Sequence, residues 1–140
     1  MKKNALKLVR ILVVEPSKAP RLEEVDPSSW RTWYPLVDKT TSLFQILNIV
    51  PGIEMLFDEE GRWKNMPLNV LVPAHAPKPV AEDTFIIDMT NGRGMMPGEP
   101  GIGYHEILGT FILARRKGGN YVDLTDDDIA KFKNGLIRAV

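Results

Sequence analysis

Two histidines, a triplet of aspartates and a glycine-rich stretch are the residues of this chain whose types and spacing could do chemistry. His105-Glu106 begins like the helix of a zinc protease, but Ile107, Leu108 and Gly109 follow where the motif needs a second histidine. His75 stands apart from it. Gly98 and Gly103 have the spacing of a Walker A loop, yet Tyr104-His105 occupies the positions of its lysine and hydroxyl, so phosphate charge would go unmatched. Gly92-Arg93-Gly94 opens like a dinucleotide fingerprint and meets Pro97 where the third glycine belongs. No Gly-x-Ser-x-Gly elbow occurs, and with no cysteine there is no thiolate nucleophile, zinc thiolate or disulfide. Asp126, Asp127 and Asp128 fall in the first turn of a helix pattern, where carboxylates favour the positive end of the helix dipole and cannot converge on one ion without other ligands. Glu54, Asp58, Asp88 and Glu106 could pair for acid–base work, but ordinary solvated or ion-paired carboxylates are the expectation. No catalytic residue, metal ion or cofactor is assigned.

What remains is contact chemistry. Trp30, Arg31, Trp33 and Tyr34 crowd one short segment and are the residue types enriched at binding hot spots, although burial of the aromatics in the core explains them as well. Arg93, Met95 and Met96 lie in the glycine-rich stretch, where flexible, polarizable methionines suit an adaptable surface. Arg93, His105 and Glu106 form the alternative, a pocket for a small ligand.

The elements that must position these residues are mainly strands. Leu8 to Val14 is β-branched and nearly continuous, the pattern of a strand covered on both faces, and Ile107 to Ala114 is a second strong strand. Arg21 to Val25 reads as a half-exposed strand, and Ile53 to Phe57 turns at Asp58-Glu59-Glu60-Gly61 into a hairpin. Asn69 to Val72, Thr84 to Ile87 and Tyr121-Val122 are further strand segments. Asp26-Pro27 predicts a short helix start, Thr41 or Ser42 caps a second helix through Leu47, and Thr125 with Asp128 caps a third carrying Ile129, Phe132, Leu136 and Val140 on one face. The expected fold is therefore α+β: one domain over residues 1–140, a mixed or mainly antiparallel sheet with two or three helices packed on it, including a capped C-terminal helix.

Lys plus Arg and Asp plus Glu balance at 18 each, so no global field steers the chain to nucleic acid or an anionic membrane. Lys7 and Arg10 interrupt the N-terminal apolar run, which argues against an export signal and for a cytoplasmic protein. "VRILVVEPSKAPRLEEVD", "FDEEGRWKNMPLN", "EILGTFIL" and "LTDDDIAKF" resemble, in that order, a domain of unknown function found in small phage and plasmid proteins. Relative to that pattern the chain is longer at about 28–40 and 74–103, and Leu68-Asn69-Val70-Leu71-Val72 stands where the family tends to have Pro-Asn-Arg-Ala-Leu. The resemblance implies mobile-element cargo and no particular reaction. The leading expectation is a non-enzymatic phage or plasmid accessory protein that binds a host or phage protein in the host cytoplasm, in defence evasion or regulation. A small-ligand or nucleotide-binding protein, or an enzyme, is the alternative, and nucleic acid and membrane partners are disfavoured.

Overall fold

A computed structural model describes residues 7–73 and 104–135. The expected strand Thr84 to Ile87 and the expected insertion at about 74–103, with Arg93, Met95 and Met96, lie outside them.

β1 (Val9–Val14) is the sequence Val-Arg-Ile-Leu-Val-Val, and such a run needs both of its faces covered. It runs antiparallel to β2 (Arg21–Val25) on one side and to β7 (Phe111–Lys117) on the other. β7 also pairs with β4 (Ile53–Asp58), and β4 with β3 (Phe44–Val50), giving the order β2-β1-β7-β4-β3. A short β8 (Asn120–Val122) folds back on the end of β7 through Gly118 and Gly119, whose φ angles of 60° and 83° suit a hairpin turn. β5 (Leu68–Pro73) and β6 (Tyr104–Leu108) form a separate two-stranded sheet.

Side chains alternate across a strand, so the large sheet buries two distinct apolar layers. On one face Leu12, Val14, Met55, Phe57, Phe111 and Leu113 are covered by Val70 and Ile107 of the small sheet, together with Leu124 and Phe132. On the other, Ile11, Val13, Val25, Leu56, Ile112 and Ala114 meet Trp33 and Val37, which arrive from the segment between β2 and β3.

The expectation of two or three helices packed on the sheet does not hold. Among the described residues there are eight strands, a single 3-10 turn (Trp30–Thr32), a one-turn helix α1 (Tyr34–Val37) and α2 (Asp126–Gly135). The helix expected after Thr41 is β3. Its Phe44, Ile46 and Val50 suit a pleated surface better than a helix, and β4 supplies the partner edge. Pro51-Gly52 does not stop a helix; it is a two-residue hairpin turn, with Gly52 at φ 82° in the place a type II turn reserves for glycine. Thr41 caps nothing, since its hydroxyl donates to Asp58 at 2.8 Å. Asp26 accepts hydrogen bonds from the Ser28 amide (2.9 Å) and hydroxyl (2.7 Å), an Asx-type turn in place of a long helix start.

The apolar run Ile107 to Ala114 is likewise divided between two sheets. Gly109 sits at φ 77°, which ends β6, and its amide donates to Pro67 O at 2.7 Å. Asn69 clamps this corner, its Nδ2 donating to Val14 O (3.0 Å) and Gly109 O (2.9 Å). An alanine Cβ at Gly109 would lie 2.7 Å from Met66 Sδ. Gly109→Ala is therefore expected to cost about 2 kcal/mol from left-handed backbone strain plus repacking of Met66, read as a lower urea midpoint. An unchanged midpoint would contradict it.

Candidate functional site

Strand pairing places three polar side chains on the same face of the large sheet. Glu54 lies opposite Ala114, and Arg116 opposite Tyr121, so alternation aims Glu54, Arg116 and Tyr121 into the layer of Leu56 and Ile112. Glu54 and Tyr121 are buried there, and the Tyr121 hydroxyl donates to Glu54 Oε1 at 2.5 Å. The Arg116 guanidinium lies 5.0 Å over the Tyr121 ring, with Nη1 3.6 Å from Glu54 Oε2 and Nη2 donating to Gly119 O at 3.3 Å. Burial, and then the hydrogen bond to the Glu54 carboxylate, push the Tyr121 phenol far above its ordinary value. It therefore stays protonated at neutral pH and acts as a donor, while Arg116 and Tyr121 together balance the buried carboxylate.

Trp30 stands over this network. Its ring meets Trp33 at 5.1 Å, Phe44 at 5.6 Å and Tyr121 at 5.7 Å, all edge-on, and stacks on Tyr34 at 6.2 Å. Aromatic pairs in these offset and edge geometries hold a ring in one place. A cleft of about 430 Å³ opens between the Pro27–Trp30 segment and Arg116, Gly119, Asn120 and Tyr121. It is walled by an indole, a guanidinium and loop backbone, a combination that can take a side chain or small planar group by stacking and charge.

Of the four contact residues expected in this segment, Trp30 is 38% exposed and Arg31 is exposed, while Tyr34 is half-buried. Trp33 is fully buried, and its Nε1 donates to Asp26 O at 2.7 Å, so it belongs to the core and not to a surface. Arg93, Met95 and Met96 fall outside the described residues. His105 and Glu106 lie on β6. Glu106 is exposed and accepts from Arg62 Nη2 at 2.9 Å, which leaves the pocket expected from Arg93, His105 and Glu106 without a described geometry.

The carboxylates singled out in the sequence have separate engagements. Asp58 is buried and accepts from Lys64 Nζ (2.6 Å), Thr41 Oγ1 (2.8 Å) and the Glu60 amide (2.7 Å). Burial opposes its charge, but these donors outweigh burial and hold its carboxyl below the usual range. Asp128 pairs with Arg115, and among the described residues no three His, Asp or Glu side chains converge to hold a metal ion. Sequence reasoning passed over Arg116 and Tyr121. Glu54 carried the available signal, as the one charge inside Ile53-Glu54-Met55-Leu56-Phe57. A carboxylate in an apolar strand implies a buried partner. Trp63 is 89% exposed in the turn after β4 and does not line the cleft.

Among the described residues no helix is long and apolar enough to cross a membrane. No curated protein and no solved structure matches the chain. A family model does match, over residues 9–137, from the first residue of β1 to beyond α2. The chain belongs to the family described as Domain of unknown function (DUF3846).

Proposed function

We propose that this is a non-enzymatic binding protein, encoded by a phage or plasmid and acting in the host cytoplasm on a host or phage protein, in defence evasion or regulation. The observation that carries the binding reading is Trp30, half in solvent at the rim of the cleft and braced by Trp33, Tyr34, Phe44 and Tyr121. A pre-positioned indole beside an arginine loses little freedom on contact, which is why such pairs dominate interface energies. Its neighbours also favour binding over chemistry, since the Tyr121 phenol is held protonated and Glu54 already receives its hydrogen bond. The mobile-element origin rests on the sequence resemblance alone.

Tagged protein incubated with lysates of host cells, and of hosts carrying phage or plasmid, should retain a defined partner. Asn120→Arg fills the cleft from an exposed rim and Trp30→Ala removes its wall, and each is expected to weaken capture about tenfold or more, the size of a hot-spot loss. Leu22→Ala, on the far edge of the sheet, should not change capture. Equal capture by all four proteins would refute the cleft as the contact surface.

A further inference from the structure

Among the described residues that line the cleft, Arg116 alone carries a charge, and that charge is already matched. Its Nη1 lies 3.6 Å from Glu54 Oε2 and donates to the Tyr121 hydroxyl at 3.4 Å, while Nη2 donates to Gly119 O at 3.3 Å. The N–H groups of a guanidinium lie in its plane, so these contacts occupy its edge. One flat side rests over the Tyr121 ring at 5.0 Å. The side chain is still 43% exposed, and what it has left to offer the cleft is its other flat side. Trp30 offers the same kind of surface: T-shaped contacts with Trp33, Phe44 and Tyr121 fix its ring and leave it 38% exposed. The Ser28 hydroxyl is spent within its own turn, donating to Asp26 Oδ1 at 2.7 Å.

We propose that the cleft is a receptor for one aromatic side chain of the partner protein, a Phe, Tyr or Trp ring that enters between Trp30 and Arg116. This deepens the binding reading and rests on it, since the cleft must first be the contact surface. A ring turns a negative face to the guanidinium and pairs with the indole in offset or edge geometry, so both walls attract it. An anion would shed its water for an arginine whose charge Glu54 already balances. A cation would meet the like charge of Arg116. Aromatic anchors are also enriched at the centres of interfaces, where they pair with residues of the same kind on the other side.

The full chain, labelled with nitrogen-15 and titrated with N-acetyl-tryptophanamide, should shift the amides of Ser28 to Trp30 and Gly119 to Tyr121 and the Trp30 indole N–H. The expected dissociation constant is on the order of 10 mM, as suits one small group in one small site. The matching derivatives of aspartate and lysine should leave these signals in place. Trp30→Ala and Asn120→Arg should each weaken the response to the tryptophan derivative about fivefold or more. Arg116→Lys keeps the charge beside Glu54 but loses the flat side, and should weaken it about threefold. A dispersed amide spectrum identifies the folded variants, and if one fails to fold the others carry the test. A stronger response to the aspartate derivative, equal responses to all three, or no response at the cleft to the tryptophan derivative would each overturn the aromatic receptor. The binding reading is decided separately by capture: a partner lost in Trp30→Ala together with a preference for the aspartate derivative would keep the contact surface and exclude the ring.

Discussion

Trp33→Ala is expected to lower stability by about 3–5 kcal/mol, the range for truncating a large buried aromatic. Trp33 is fully buried, packs within the layer of Ile11, Val13, Leu56 and Ile112, and sits 4.9 Å from the Tyr121 ring. Its removal opens a cavity over the middle of the sheet and leaves Asp26 O without the indole donor that now lies 2.7 Å away. The same side chain anchors the segment between β2 and β3, including Trp30, to the sheet. A domain of this kind has a total stability of only about 5–15 kcal/mol, so the loss is a large fraction of the whole and urea denaturation should find a much lower midpoint for Trp33→Ala. Trp33→Phe keeps much of the volume and loses the hydrogen bond, and should cost less. A loss below about 1 kcal/mol for the alanine variant, the scale of an ordinary surface change, would show that this segment does not pack as described.

Asp128→Ala should cost about 3 kcal/mol, combining the loss of a helix cap with the breaking of a largely buried ion pair. Asp128 meets Arg115 in a two-pronged contact, Nε to Oδ2 at 2.7 Å and Nη2 to Oδ1 at 2.6 Å. It also closes a capping box: its carboxylate accepts from the Thr125 amide at 2.9 Å, and its own amide donates to the Thr125 hydroxyl at 3.0 Å. Burial disfavours the Asp128 charge, but the hydrogen bonds from Arg115 and Thr125 outweigh burial and hold its carboxyl below the usual aspartate value. A carboxyl whose folded pKa is depressed stabilises the fold fully above the unfolded value of about 4 and loses that contribution as pH falls further. Unfolding free energy should therefore decline as pH drops below about 4, and decline less steeply in Asp128→Ala. Some slope remains in the variant because Asp58 is shifted in the same direction. Equal slopes in the two proteins would mean that the Arg115–Asp128 contact does not persist in solution.

Much of the local structure was legible because its causes are local. The Thr125–Asp128 spacing specified both halves of the capping box, and the apolar run Leu8 to Val14 predicted a strand covered on both sides. β3 was not legible. Its apolar residues fit a helical stripe over so short a length as well as they fit a strand, and Pro51-Gly52 ends one as readily as it turns the other. The decision belonged to β4, with which Phe44 to Asn48 pair in continuous register, because strand preference is set by packing against cross-strand neighbours and not by the local sequence. That one change overturned the helix-covered fold.

The candidate site shows the same division. Its residue types were visible, but nothing local distinguished Trp33, which fills the core, from Trp30, which walls a cleft three positions earlier. Glu54 and Tyr121 are 67 positions apart, and only the pairing of β4, β7 and β8 joins them. By itself the sequence determined what is short-range or summed over the whole chain: the strand periods, the capped last helix, the lack of thiol chemistry and the balanced charge. The tertiary structure alone decided which aromatic faces solvent, which carboxylate is buried with a partner and which strand is left at an edge. Those outcomes depend on contacts between residues far apart in the chain, and no window of neighbouring residues contains them.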